Sequence, residues 1–286
     1  MEPWLSGLLA GDMETTTTTT TVDEEDEKRP WHFLPPPLKS QPYPWLITSH
    51  GRYYQTQTFF NVSKLHQYHT RIIPEMRNRR IFHASFGWLV LMSRDSISDF
   101  LLLNLTSMET IQIPDPLDVE YSNMCILTAP PMDPNCRIIF NDPLSKDFLF
   151  CRPGIDSEYT RQKISKEVFG FVISSITIGG NTFCWTSLGK LLTIEFEESN
   201  LKFCQVMVRN KPRKTFCLSQ DLVEFHGELL LVRKLMSRVT FCEWPSTFEI
   251  YKLDSCAMEW VEMKSIGDNA IFPQTMNIMI MVYVAP

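Results

Sequence analysis

Histidines at short spacing are the first candidates for chemistry. His66-Gln67-Tyr68-His69 has H-x-x-H spacing, which on a helical turn would place two imidazoles on one face, as a zinc site needs. Zinc also needs a third or fourth ligand. No neighbouring Cys, Asp or Glu completes the set, so these residues are expected to form a surface turn. His83 and His226 stand two and one residues ahead of Ser85 and Gly227, and are expected to be hydrogen-bonded scaffolding at turns rather than catalysts. Ser85 and Ser187 lie near glycines, but neither sits in the G-x-S-x-G elbow that exposes a hydrolase serine. Gly189-Lys190 continues into Leu191 rather than Ser or Thr, so no P-loop is present. No helix pattern follows Gly179-Gly180 to bind an anion at its N-terminus. Asp115, Asp118 and Glu120 share a loop with no sign of a paired general acid.

The eight cysteines (125, 136, 151, 184, 204, 217, 242 and 256) are spread singly, with no C-x-x-C pair. That excludes zinc-ribbon and RING chemistry, whose close pairs pre-place ligands. With no secretory signal, reduced core-filling thiols are expected rather than disulfides. The sequons at Asn61 and Asn104 would then stay unglycosylated. These patterns name no catalytic, cofactor-binding or metal-binding residue.

The elements that would position any site can be read from composition and pattern. The net charge of −6 sits wholly in residues 1–30, which hold eight acids and two bases. The other residues carry 25 bases and 25 acids. A neutral body argues against a broad nucleic-acid surface. The longest apolar run, Ile278 to Ala285, is far short of the roughly 18–20 residues that span a bilayer. No basic flank precedes an apolar N-terminal stretch, and the head is acidic rather than Arg-rich. The expected location is therefore cytoplasmic, nuclear or both.

Three regions follow. Residues 1–30, with the threonine run Thr15 to Thr21 and the acidic cluster, cannot bury enough apolar surface to order and are expected to be disordered. Residues 31–44 are a Pro-rich, extended lead-in, read as a stiff linker. Residues 45–286 read as short strands: Gly87–Met92, Asp99–Leu105, Met124–Thr128, Arg137–Phe140, Asp147–Cys151, Phe169–Ile178, Lys190–Phe196, Lys202–Val208, Glu228–Arg233, Phe248–Leu253 and Trp260–Met263. Leu192, Ile194 and Phe196 alternate with Thr193, Glu195 and Glu197, as in a half-buried strand. Leu229-Leu230-Leu231-Val232 suits a strand buried on both faces. Only Ser63–Thr70 and Tyr159–Lys166 could form a helical turn or two.

A loose repeat selects the architecture. Gly87, Gly189 and Gly227 each precede an inner strand, then a hairpin, a second strand and an apolar edge, and Gly179-Gly180 resembles a kelch-blade turn. The expected fold is all-β, a β-propeller of kelch-like four-stranded blades, with five to six blades' worth of chain. Two basic clusters remain, the first lying before the first clear blade. Arg77, Arg79 and Arg80 form one; Arg209, Lys211, Arg213 and Lys214 around Pro212 form the other. The second matches a short nuclear-import signal or a patch for an acidic peptide, though a solvated inter-blade loop is the simpler reading. The acidic head could rest on either cluster, with each exposed pair worth only ~0–1 kcal/mol.

Several landmarks in order carry a family resemblance: Pro44-Trp45-Leu46, Phe59-Phe60-Asn61-Val62, Pro74 to Arg80, Ser85-Phe86-Gly87-Trp88-Leu89, Leu102 to Thr106, Ile113-Pro114 and Phe150 to Gly154. Gly227 to Arg233, Ile250 to Asp254, Trp260-Val261-Glu262 and Ser265 to Phe272 complete the series. In these the chain resembles the plant F-box-associated, kelch-like β-propeller family, a domain of unknown function. The resemblance implies an N-terminal F-box docking on the Skp-type adaptor of a cullin-RING ubiquitin ligase, with the propeller holding the substrate for ubiquitination. No F-box is seen in the acidic head, so the Skp-type adaptor is not an expected partner. The family's propeller usually continues beyond the element matching Ser265–Asp268. Either a shorter ring closes or the chain is truncated with an open edge, and truncation is the favoured reading. The expected function is a non-enzymatic protein-interaction propeller with a protein partner and no cofactor, metal, nucleic acid or membrane. The alternatives are a propeller hydrolase, a carbohydrate-binding protein or a degenerate copy without a stable fold.

Overall fold

A computed structural model describes residues 45–61, 68–96, 99–114, 124–141, 147–163, 170–197, 200–212, 217–235, 247–267, 271 and 280–282. The expected head (1–30) and lead-in (31–44), Asp115, Asp118, Glu120, Arg213, Lys214 and Cys242 lie outside the described residues. The described residues carry twenty strands and two single 3-10 turns, and no α-helix among them.

The strands form five antiparallel sheets of four, a five-bladed β-propeller. Blade 1 is β20 (Ile280–Val282), β1 (Trp45–His50), β2 (Thr56–Asn61) and β3 (Tyr68–Ile72). Blade 2 runs β4 (Arg79–Ser85), β5 (Trp88–Ser93), β6 (Phe100–Asn104) and β7 (Thr110–Gln112). Blade 3 comprises β8 (Cys125–Leu127), β9 (Ile138–Asn141), β10 (Asp147–Cys151) and β11 (Thr160–Lys163). Blade 4 holds β12 (Val172–Ile178), β13 (Asn181–Thr186), β14 (Leu191–Glu197) and β15 (Asn200–Val206). Blade 5 is β16 (Cys217–Phe225), β17 (Glu228–Leu235), β18 (Thr247–Asp254) and β19 (Glu259–Met263). First strands neighbour one another from blade to blade, β20 beside β4, β4 beside β8, β8 beside β12 and β12 beside β16.

Three expectations are corrected. The open edge does not form, because β20 pairs with β1 through Trp45↔Val282, Leu46↔Met281 and Ile47↔Ile280 and completes the first blade. The helical turns expected at Ser63–Thr70 and Tyr159–Lys166 give way, in their described parts, to the outermost strands β3 and β11. Residues 62–67 and 164–169 lie outside the described residues. The repeat frame also shifts. Phe86-Gly87, Gly179-Gly180 and His226-Gly227 are two-residue hairpin loops with positive φ at both positions, joining the first and second strands of blades 2, 4 and 5. Gly189 instead lies between the second and third strands of blade 4. The strand after each turn glycine is therefore second in its blade, and the counterpart of His226 is Phe86 rather than His83.

The core lies between blades, which is why the second strands are apolar on both faces. Along β5, Trp88, Val90 and Met92 pack with Ile138, Phe140 and Leu149 of blade 3. The alternate residues Leu89 and Leu91 pack with Ile47 and Phe59 of blade 1. Strand β17 behaves likewise, with Leu229 to Val232 all buried. Trp185 of blade 4 meets Trp260 of blade 5 edge to face at 5.8 Å. Side chains also bridge blades through hydrogen bonds that substitute for sheet pairing. Gln162 Nε2 donates to Leu201 O at 2.7 Å, and Leu201 N donates back to Gln162 Oε1 at 2.7 Å. Leu222 N donates to Ser174 Oγ at 2.9 Å, and Thr177 Oγ1 donates to Leu127 O at 3.1 Å.

Gly170, just ahead of β12, is closely packed against the 187–188 turn. A Cβ there would lie 2.7 Å from Ser187 Oγ and 2.8 Å from Leu188 Cγ, and its φ is +79°. Gly170→Ala is expected to destabilise the fold by about 1–3 kcal/mol, through left-handed backbone strain and a displaced hairpin. A chemical denaturation midpoint equal to wild type would refute this.

Candidate functional site

Topology sorts the loops onto two faces. One face carries the hairpins between second and third strands together with the connections between blades; the other carries the remaining hairpins. On the first face, three segments converge where blades 1 and 2 meet: the β1–β2 hairpin 51–55, the β3–β4 connection 73–78 and residues 94–95 after β5.

The hairpin sequence is Gly51-Arg52-Tyr53-Tyr54-Gln55. Tyr53 and Tyr54 both adopt left-handed backbone (φ 59° and 53°), as does Asn78 opposite them (φ 54°). A β-turn would take Asn-Gly there at lower energy, so the conformation has to be held from outside. Asn78 N donates to Tyr53 O at 2.6 Å, and Arg94 N donates to Asn78 O at 2.9 Å. Beneath them Gln57, fully buried, donates through Nε2 to Tyr54 O at 2.9 Å and accepts from Ile73 N at 2.9 Å. One buried amide thus ties the hairpin to the inter-blade connection.

This backbone presents aromatic and cationic side chains to solvent. Tyr53 is 48% and Tyr54 39% exposed. Arg52 and Arg77 approach the Tyr53 ring at 5.1 and 5.7 Å, and Arg94 lies over Tyr54 at 3.7 Å. Arg80 lies over Phe82 at 5.7 Å. Burial first, and the nearby Arg94 charge second, lower the Arg80 pKa from its ordinary value.

The linear cluster Arg77, Arg79 and Arg80 is therefore divided by the fold. Arg79 pairs with Asp99 at 2.7 Å, while Arg77 joins the tyrosines. Sequence reading missed Arg52, Tyr53, Tyr54, Gln57 and Arg94. The available signal was the Gly-Arg-Tyr-Tyr turn, which puts a cation and two aromatics where a hairpin needs none.

The second basic cluster is a strap in its described part. Arg209 N donates to Met258 O at 2.8 Å, and Trp260 N donates to Arg209 O at 3.2 Å. The Arg209 guanidinium reaches Ala257 O at 2.7 Å, and Asn210 Nδ2 reaches Glu259 Oε2 at 2.8 Å. That matches the inter-blade loop reading.

Histidine chemistry disperses. His66 lies outside the described residues, and His69 sits on strand β3 opposite Phe59, so a shared helical face does not arise. His50 Nε2 meets Thr58 Oγ1 at 2.7 Å, but Thr58 also bonds Thr70 Oγ1 at 3.1 Å in a cross-strand ladder. His226 is a turn residue stacked edge-on against Phe225. Ser85 pairs with Trp88 across a hairpin, and Ser187 Oγ accepts from Phe171 N at 3.0 Å. Among the described residues no group of three His, Cys, Asp or Glu side chains is placed to hold a metal.

His83, on the first strand of blade 2, keeps some exposed surface, yet burial pushes its imidazole down to about 4 from an ordinary 6.5. Below pH 6.5 the unfolded chain takes up a proton that the folded protein refuses. Stability is therefore full above that value and falls as pH drops towards 4. Between neutral pH and pH 4, His83→Gln is expected to lose about 1–3 kcal/mol less than wild type in urea titrations. Equal acid losses in the two proteins would overturn this.

Cys125, Cys136, Cys151 and Cys184 are free and buried. Burial pushes the Cys136 thiol up to about 11 and Cys151 up to about 12, and also raises Cys125 and Cys184. They stay protonated as core-filling groups. Cys256 is free and exposed.

Five four-stranded blades with a rigid loop junction on one face define a β-propeller. Residues 59–281 match the KIB1-4 beta-propeller family, and the chain belongs to that family. Among solved structures it is similar to the N-terminal domain of Nup159, at 8% identity, covering 73% of this chain and 56% of that one with a TM-score of 0.39. It is also similar to BBS1N in complex with ARL6DN, at 9% identity, covering 77% and 64% with a TM-score of 0.40. The chain thus spans less than two thirds of the length of either. No curated protein matches it.

Proposed function

We propose that this propeller is a non-enzymatic protein-interaction module. It holds a protein partner on the face where blades 1 and 2 meet, and serves as the substrate-recognition part of a cullin-RING ubiquitin ligase in the cytoplasm or nucleus. The observation that carries the reading is the pair of exposed tyrosines, kept in left-handed backbone by the buried Gln57 and by Asn78. Rigid exposed aromatics flanked by arginine are the side chains that dominate protein interfaces. Membership of the KIB1-4 beta-propeller family supports a scaffold role. The ordered resemblance to F-box-associated propellers supports the ligase setting.

The test is affinity purification of the tagged chain from cells with and without proteasome inhibition. A protein partner should accumulate under inhibition and be lost from a Tyr53→Ala/Tyr54→Ala variant that melts like wild type. The reading fails if no protein is enriched in either condition. It also fails if the purified chain turns over ester or glycoside substrates and loses that activity on substitution of a serine or an acid.

A further inference from the structure

The junction between blades 1 and 2 carries an unbalanced charge in a chain whose body is otherwise neutral. Arg52, Arg77 and Arg94 are exposed and make no ion pair among the described residues. Arg80 adds a fourth guanidinium beside Arg94. Two acids stand in the same segments, Glu75 and Asp95, and Asp95 accepts a hydrogen bond from Asn78 Nδ2. Arg79 and Asp99 neutralise each other. Four guanidiniums against two carboxylates leave a local surplus of two positive charges. A phosphomonoester carries about −1.5 to −2 at neutral pH.

Geometry points the same way. The guanidiniums of Arg52 and Arg77 both lie within 6 Å of the Tyr53 ring, and Arg94 stacks on Tyr54. Arg52 Nη2 donates to the Tyr53 hydroxyl at 3.5 Å, and its other N–H groups, like those of a guanidinium lying on an aromatic face, can match phosphate oxygens in bidentate fashion. The hairpin that sets them is strained at Tyr53 and Tyr54 and locked by Gln57, so the arrangement exists before any ligand arrives. Strain retained at two successive aromatic residues of an exposed hairpin, where glycine would relieve it, is consistent with a position held for binding. A long polyanion needs a basic track. The residues beyond 30 balance at 25 bases to 25 acids, which does not favour such a track.

We propose that this junction binds a phosphorylated segment of a protein partner. Arg52, Arg77 and Arg94 clamp the phosphomonoester, while Tyr53 and Tyr54 pack against the flanking peptide. The inference rests on the reading that a protein partner is held on this face, and it names the chemistry by which that partner is chosen.

The probe is a degenerate peptide library carrying one phosphoserine, set against the same library after phosphatase treatment, with the full-length chain in fluorescence anisotropy. Wild type should prefer the phosphorylated library by about tenfold or more, and the preference should shrink as salt rises from about 0.05 to 0.3 M. The Arg52→Ala/Arg77→Ala/Arg94→Ala variant should retain the wild-type melting temperature and lose the preference. Lysine at the same three positions should restore only part of it, because charge returns without the bidentate fork. Equal binding of both libraries, abolished by Tyr53→Ala/Tyr54→Ala, overturns the phosphate inference and leaves the protein-binding reading standing. Binding of neither library, with no partner enriched from cells, overturns both. A single-stranded oligonucleotide or inositol hexakisphosphate binding more tightly than the phosphorylated library, and lost in the triple alanine variant, overturns the commitment to a phosphoprotein.

Discussion

Trp88→Ala should destabilise the propeller by about 3–5 kcal/mol, the range for truncating a buried large aromatic. Trp88 opens β5, is 3% exposed, and belongs to the cluster that joins blades 2 and 3 through Phe100, Ile138 and Phe140. Three aromatics already crowd that interface, Phe100 and Phe140 at 4.9 Å and Phe82 and Phe100 at 5.4 Å. The sheet backbone on either side is fixed by its ladders, so the walls cannot collapse into the vacated volume. In a domain of this size the loss corresponds to a melting shift on the order of 10 °C. Trp88→Phe should recover more than half of it, because shape and apolar area are largely kept. A Trp88→Ala melting temperature equal to wild type would show that the side chain lies outside the core.

Removing residues 272–286 should have an effect of similar size by a different route. The β20–β1 pairing contributes three register pairs. Hydrogen-bonded and non-hydrogen-bonded pairs alternate in an antiparallel ladder, so three pairs hold about two to four hydrogen bonds, and at about 1 kcal/mol net each their loss amounts to roughly 2–4 kcal/mol. The larger consequence is the newly exposed edge of β1, a row of unpaired backbone groups that can accept a strand from a second molecule. The expected observation is a broader thermal transition together with concentration-dependent association in sedimentation. A monomeric protein with a transition as sharp as wild type would show that the clasp is dispensable. Met281→Pro offers a milder check. It places a residue without an N–H in β20 opposite Leu46 and should broaden the transition without deleting any chain.

What the sequence disclosed about the fold follows from where water is excluded. Strands β5, β9, β10 and β17 are covered on both faces by adjacent blades, so they read as continuous apolar runs; Asp147–Cys151 coincides with β10 at both ends. Strand β14, half-covered, shows the alternation expected of it. The first strands β4 (RRIFHAS) and β16 (CLSQDLVEF) lie towards the axis of the ring and are mostly half-buried. The outermost strands β3 and β11 are largely exposed. Neither environment demands an apolar run, so those strands carry no strong signature. The turn glycines were visible as turns, but their phase was not. A glycine with positive φ marks a reversal without saying which two strands it joins, so the sequence pattern alone groups Gly189 with Gly87 and Gly227.

The candidate site was less legible because it is a property of three segments together. Arg77 stands close to Arg79 and Arg80 in sequence, yet its neighbours in space are Tyr53 and Arg52, some 25 residues earlier. Gln57 looks like any polar residue of an exposed strand until the structure places it fully buried, with backbone partners on both sides. Linear clustering of charge finds cations; it cannot find which of them the fold has already neutralised, as Asp99 does Arg79.

The clasp between β20 and β1 also sets an order of events during biosynthesis. Trp45 precedes Ile280 by 235 residues. A ribosome adding about 5–20 residues per second needs roughly 10–50 s to span that distance. Throughout that interval the first blade made lacks its innermost strand, and the edge of β1 waits beside every nascent chain on the same message. The blade that emerges first is therefore the last to be finished. The speed of translation, as much as the stability of the finished ring, decides how long that edge is open to the wrong strand.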